Sequence, residues 1–228
     1  MNRRNFISAL LFIDAVFYTV ASAAETIAVV LKAKGSISLT RGGRAASQKI
    51  KKGFRLVDQD KLVTEKKSFT AIRFIDDASL VRLRENSTCT IQGKKEQNKV
   101  SKNIYLEAGT LFARVTRQKG KFQVSTPTSV ASVKGTKFIV DQIFDGGTFY
   151  YGEEGVIGVS NDAGSVDVHA NETGFVKDRN TLPTVEPTKP GGRPTLDEGE
   201  GEIDNFELEF ENEEGERKIL NFGAQKKE

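Results

Sequence analysis

Phe69-Thr70-Ala71-Ile72-Arg73-Phe74-Ile75, Asp76-Asp77-Ala78-Ser79, Leu80-Val81-Arg82-Leu83-Arg84 is the stretch that decides the fold class. Apolar residues alternate along both runs, the two-residue repeat of a strand with one buried face, and the acids between the runs are turn formers. In the second run Leu80 and the two arginines share one parity while Val81 and Leu83 share the other, which predicts a strand with one wet, basic face. Outward from this pair the pattern repeats. Short apolar runs at 27–31, 35–39, 104–106, 111–115, 122–124, 130–133, 138–143, 148–151, 156–159 and 166–169 are broken by turn residues. Spacings of about eight to twelve residues between such breaks are the signature of an all-β domain. Asp145-Gly146-Gly147 and Asn161-Asp162-Ala163-Gly164 read as hairpin turns, because these residues tolerate positive φ. Phe138-Ile139-Val140 is apolar at successive positions and predicts burial on both faces. A sandwich, or a short β-solenoid or roll, accommodates both kinds of strand.

The composition agrees. Of 228 residues 37% are hydrophobic, concentrated between residues 25 and 178, and the 21 glycines and 15 phenylalanines favour strands and tight turns. One cysteine, Cys89, excludes an intrachain disulfide; in Thr88-Cys89-Thr90-Ile91 it reads as a small buried strand residue, with a free thiol or an interchain link as the alternatives. The net charge of +3 hides an asymmetry. Residues 41–121 hold 20 lysines and arginines against 8 acids, and residues 197–216 hold 11 acids and no base. That separation points to an anionic partner for the core or to docking of the acidic tail on it, unless both are simply solvated.

Residues 1–24 read as a secretory signal segment: Arg3 and Arg4, an apolar run over 6–20, and Ala21-Ser22-Ala23 at the cleavage positions. Arg3-Arg4-Asn5-Phe6-Ile7 also resembles the start of a twin-arginine signal. Asp14, worth about 3 kcal/mol against insertion, argues for cleavage over anchoring. Residues 25–178 form the β domain. Residues 179–202, with four of the five prolines, read as an extended linker. Residues 203–228 read as a β-hairpin, with Phe206, Leu208 and Phe210 alternating with acids and the run 218–222 returning. An isolated hairpin is marginal in water, so its apolar face is expected to be buried, on the chain's own domain or on another protein. Deleting residues 197–228 is accordingly expected to lower the melting temperature.

The most specific motif runs Thr126-Pro127-Thr128-Ser129-Val130-Ala131-Ser132-Val133-Lys134-Gly135-Thr136-Lys137-Phe138. A threonine-proline pair, a small and apolar run, and a basic-Gly-Thr-x-Phe close resemble the FecR family, named from the ferric-citrate regulator of bacterial envelopes. Leu106-Glu107-Ala108-Gly109-Thr110-Leu111 is similar to that family's strand-Gly-strand step, and the segments around Gly155 and Gly174 to its later turns. With Lys52-Gly53, 60–64 and 74–79, the likeness covers most of residues 27–176. The family motif residues Gly109, Thr126, Pro127, Lys134, Gly135, Thr136, Phe138, Gly155 and Gly174 have structural explanations in turn, close-approach and strand-start requirements. Lys134 and Lys137 are charges that packing does not explain. The resemblance implies an envelope location and a protein-contacting role. In its best-known setting the family couples an outer-membrane receptor to a cytoplasmic regulator through a membrane helix. Only five residues precede Phe6, so that signalling output is not expected of this chain.

No catalytic signature is legible, so no enzyme and no cofactor is expected. His169 is the only histidine and no nucleophile elbow accompanies it. His/Cys metal sites fail by count, the acidic run lacks the calcium-loop spacing, and Lys134-Gly135-Thr136 lacks the upstream glycine of a phosphate loop. The pair Glu153-Glu154 beside a turn establishes no glycosidase. The expectation is an exported binding or scaffold protein whose partner is an envelope protein or an anionic cell-wall or surface polymer, without nucleic acid, and with membrane contact only through an uncleaved signal segment. The alternatives are a periplasmic signalling component working with a separate membrane or anti-sigma partner, and a polysaccharide-active enzyme using carboxylates.

Overall fold

The computed structural model describes residues 24–46, 50–96, 99–116, 120–195, 206–211 and 217–222. Residues 1–23 of the expected signal segment and residues 212–216, the expected turn of the C-terminal hairpin, lie outside the described residues. In chain order the strands are β1 (Thr26–Lys34), β2 (Ile37–Arg41), β3 (Arg44–Ala46), β4 (Arg55–Val57), β5 (Asp60–Thr64), β6 (Phe69–Phe74), β7 (Leu80–Leu83), β8 (Ser87–Glu96) and β9 (Lys99–Arg114). They continue as β10 (Phe122–Ser125), β11 (Val130–Val133), β12 (Lys137–Gln142), β13 (Thr148–Glu154), β14 (Val156–Asn161), β15 (Gly164–His169), β16 (Glu172–Val176) and β17 (Thr184–Pro187). A separate pair comprises β18 (Phe206–Glu211) and β19 (Arg217–Phe222). The described residues contain no helix, and the protein is all-β.

The first seventeen strands form one connected assembly because β9 belongs to two ladders. Ladder I runs β4-β1-β6-β7-β9-β12-β13-β16-β17, antiparallel throughout. Ladder II runs β3-β2-β5-β8-β9-β10-β11-β14-β15, antiparallel except where β10 lies parallel to β9. The first part of β9 pairs in ladder II as far as Ala108, and its last part pairs in ladder I from Gly109 onward. Alternate side chains from both ladders meet in one core, including Val30, Ile72, Val81, Phe138, Val140 and Tyr150 from I and Leu62, Ile91, Ile104, Val124, Ile157 and Val168 from II. Each such aliphatic or aromatic residue withdrawn from water contributes about 1.5–3 kcal/mol. Phe74 of ladder I meets Phe122 of ladder II edge-to-face, with ring centroids 5.8 Å apart.

The expected burial of 138–140 on both faces holds, since Phe138, Ile139 and Val140 are all buried. Cys89 is buried as well; burial pushes its thiol up to about 12, so it stays protonated at neutral pH. Three expectations need correction. The runs at 104–106 and 111–115 belong to one sixteen-residue strand. Gly174 is not in a turn: it sits within β16, paired with Tyr150 and Val185, and a Cβ there would meet Val168 Cγ2 at 2.6 Å. Part of the expected linker, Thr184–Pro187, is a strand that closes the edge of ladder I on β16. An edge accepts Pro187 because its missing N–H removes no ladder bond there. The alternation expected of β7 holds: Val81 and Leu83 are buried, while Leu80, Arg82 and the following Arg84 are half exposed.

The C-terminal hairpin forms as expected, with Phe206 opposite Phe222, Leu208 opposite Leu220 and Phe210 opposite Lys218.

Candidate functional site: a braced hairpin tip and a basic cleft

Thr126 begins a tight turn in which its N–H donates to the Ser129 carbonyl at 2.8 Å. Its hydroxyl is buried and lies 3.0 Å from Thr148 Oγ1 and 3.3 Å from Thr128 Oγ1. Thr128 Oγ1 is 2.5 Å from Thr148 Oγ1, and Ser129 Oγ is 2.9 Å from the Tyr150 hydroxyl. Burial raises the Tyr150 phenol, while hydrogen bonds from Ser129, Thr126 and Thr148 oppose the shift. The small hydroxyl residues of the motif therefore satisfy one another between the two ladders. Pro127 caps the turn on the outside, and its carbonyl accepts from Arg179 Nε at 2.8 Å.

The network extends to the β12–β13 turn. Thr148 Oγ1 donates to Gln142 Oε1 at 2.5 Å, and Gln142 Nε2 donates to the carbonyls of Ile143 (2.7 Å) and Gly146 (3.1 Å). Asp145 adopts positive φ, and the Ile143 and Gly146 amides close the turn on the Gly147 and Ile143 carbonyls. What this bracing displays is apolar: Phe144 is 75% exposed and Ile143 is 48% exposed. Single exposed apolar residues are ordinary, but two adjacent ones on a turn held by a buried polar network are pre-organised for contact. Replacing Thr126 with valine removes the hub and leaves neighbouring buried hydroxyls short of partners. We expect a loss of about 1–3 kcal/mol in urea unfolding, with faster amide exchange over 142–148.

Gly135, Gly155, Thr136 and Phe138 serve turns and packing. Gly135 and Gly155 adopt positive φ in facing turns, and a Cβ on Gly155 would lie 3.1 Å from the Gly135 carbonyl. Thr136, between them in space, donates from Oγ1 to the Val156 carbonyl at 3.2 Å, and its own carbonyl accepts from the Val115 amide at 2.8 Å. Phe138 is in the core. Lys134 is exposed, whereas Lys137 lies 3.3 Å from Glu153. Glu153 is also 3.5 Å from Arg193, so this carboxylate belongs to a salt-bridge cluster.

That cluster lines a cleft of about 320 Å³ on the outer face of ladder I, together with Arg82, Phe112 and Arg114. The register explains the charge: Arg114 lies between Leu80 and Lys137 across neighbouring strands, and Arg82 lies beside Phe112. Nearby, the Arg73 guanidinium is held below its ordinary value by burial and then by the charge of Arg114. Beside the cleft Phe149 packs on Phe175 (4.5 Å) and stacks with Tyr151 (6.2 Å).

Sequence reasoning missed Lys102. Its side chain is fully buried, with Nζ 2.6 Å from Asp76, 2.7 Å from Asp77 and 5.3 Å from the centre of the Phe74 ring. It ties β9 in ladder II to the β6–β7 turn in ladder I. His169 is exposed, and among the described residues no group of three or more His, Cys, Asp or Glu side chains is placed to hold a metal ion. No helix of the described residues is long and apolar enough to cross a membrane.

Residues 60–149 match the family model described as FecR protein. Two crystal structures of a candidate anti-sigma factor from Parabacteroides distasonis ATCC 8503, at 1.65 and 2.50 Å resolution, are similar at 18% identity and a TM-score of 0.48. The matched region is 56% of this chain and spans 59% of theirs. No curated protein matches the sequence.

Proposed function

Starting from the FecR domain that this chain carries at residues 60–149, we propose that the protein is an exported, non-enzymatic component of envelope signalling that works through contact with a separately encoded membrane or anti-sigma partner. The observation that carries this reading is the family match itself, which includes β5 to β12, the middle of both ladders, and ends in the β12–β13 hairpin. The geometry adds a contact point. The motif that distinguishes the family builds the polar brace under Ile143 and Phe144, so the same residues that define the domain also position its most exposed apolar side chain. An apolar tip of this kind suits a hydrophobic socket on a protein better than an anionic polymer. Export is supported by the signal-like character of residues 1–24.

The test compares the full-length protein with its Phe144→Glu variant in affinity capture from the envelope of the native organism. The reading expects a membrane-associated or anti-sigma protein retained by the parent and lost from the variant, with melting temperatures within about 2 °C because the side chain is exposed. Identical captured sets from the two proteins, or no captured protein from either, would overturn it.

A further inference from the structure

Ladder I hides apolar side chains on both faces, although its core covers only one. Ile72, Phe74, Val81, Leu83, Leu111, Ala113, Phe138 and Val140 point into the shared core. The alternate residues point the other way, and several are equally hidden: Leu31 is 5% exposed, Phe69 4%, Ala71 0%, Phe112 8% and Ile139 1%. Phe112, Ile139 and Tyr151 form an apolar cluster distinct from the core. The segment leading out of β17 borders one end of this face, where Pro187, Lys189 and Gly192 line one hollow with the aromatics Phe149, Tyr151 and Phe175. It then reaches the basic cleft at Arg193, Pro194 and Thr195. An outward sheet face this apolar needs a cover.

We propose that the cover is the chain's own β18–β19 hairpin, laid across the outer face of ladder I as a third layer. Three observations converge on it. The hairpin register sets Phe206 opposite Phe222, Leu208 opposite Leu220 and Phe210 opposite Lys218, so five of the six positions of one side of the pair are apolar, a side that two strands in water cannot bury. Ten residues, 196–205, separate Thr195 from Phe206; extended, they reach roughly 33–36 Å, and the distance from β12 to β1 across four strand spacings is about 19 Å. The charges are complementary: residues 197–216 carry 11 acids and no base, and they leave the domain at a cleft where Arg82, Arg114, Lys137 and Arg193 outnumber the one carboxylate, Glu153, that Lys137 and Arg193 share. A tether this short supplies an effective concentration in the millimolar range, so weak contacts suffice to keep the face occupied in cis.

Cys89 gives a silent background for a direct test, since its thiol is buried and raised to about 12. Ile139→Cys in the full chain adds a thiol beneath the expected cover, and its labelling by a small maleimide reports whether the cover is in place. The cis hairpin predicts slow labelling that becomes at least about tenfold faster when Leu208→Glu and Leu220→Glu are added. Arg82→Glu with Arg114→Glu, which leaves the hairpin sequence untouched, is expected to accelerate labelling in the same direction. Circular dichroism verifies that each variant retains its strands. Sedimentation must show a monomer throughout. Equal labelling with and without the hairpin substitutions in folded protein would overturn the proposal. So would protection that appears only with dimer formation at rising concentration, which would assign the cover to a second copy. Because the readout needs no partner, it is independent of the capture experiment at Phe144.

Discussion

Neutralising both carboxylates around Lys102, with Asp76→Asn and Asp77→Asn, is expected to destabilise the protein by about 3–5 kcal/mol. The magnitude follows from the environment. The Lys102 side chain is fully buried, Asp77 is 9% exposed and Asp76 is 27% exposed, so the ammonium has left water and its two anions have left it only in part. Desolvating a lone charge costs several kcal/mol, and the 2.6 and 2.7 Å contacts offset that cost only while both ends remain ionised. The Phe74 ring beneath the ammonium adds a smaller attraction. Asp77 also holds its own turn, accepting from the Ser79 amide at 2.8 Å, and an asparagine can keep that bond through its side-chain oxygen. Adding Lys102→Met to the double variant removes the stranded charge while keeping most of the volume. Stability is then expected to return to within about 1–2 kcal/mol of the parent. Urea midpoints with unchanged slopes check both steps. A double variant that unfolds like the parent would mean that the charge is hydrated in solution.

The second large effect is expected at Gly109. Its φ of +96° is one that residues with a Cβ rarely adopt, and a Cβ there would lie 2.2 Å from Ser87 Oγ and 2.5 Å from Ser87 Cα. A hydroxyl can rotate away; a backbone Cα cannot. Backbone strain of about 1–3 kcal/mol and overpacking of about 1–3 kcal/mol both apply, so Gly109→Ala is expected to cost about 2–6 kcal/mol. Gly53→Ala is the control, because its φ of +85° is similar and nothing lies within 4 Å of the added carbon. It is expected to show the strain alone, about 1–3 kcal/mol. Comparing the two in the same unfolding assay separates conformation from crowding. The local structure predicts why Ser87 has no room: its hydroxyl accepts from the Thr110 amide at 3.0 Å, and its amide donates to Thr64 Oγ1 at 3.1 Å.

The parts of the molecule that were legible beforehand are those governed by local rules. Strand alternation located β6, β7 and the hairpin β18–β19, because a two-residue period is written directly into their side chains. Asp145 and Gly164 mark turns for reasons internal to the turn. What escaped depends on distant neighbours. A glycine between two apolar runs reads as a break, yet Gly109 lets one strand pass between ladders, and only Ser87 and the partner strands reveal that. A lysine is expected in water, and nothing near Lys102 in sequence announces Asp76 and Asp77. A proline-rich segment reads as linker, yet β16 had an open edge that Thr184–Pro187 could close. At the candidate site the Thr126–Ser129 motif was recognisable as structural, but its reach through Thr148 and Gln142 to Phe144 is a property of the folded network.

The shared strand β9 also dictates the order in which the molecule can assemble. Neither ladder can be completed by the residues that precede it, because β7 and β8 both pair with β9 and so do β10 and β12. A nascent chain shorter than about half its final length holds two unfinished sheet edges and no closed core. Folding that waits for such distant pairings is slow, on the millisecond-to-second scale typical of all-β domains. The two halves are then expected to form together rather than in succession, in one cooperative step organised around a single strand.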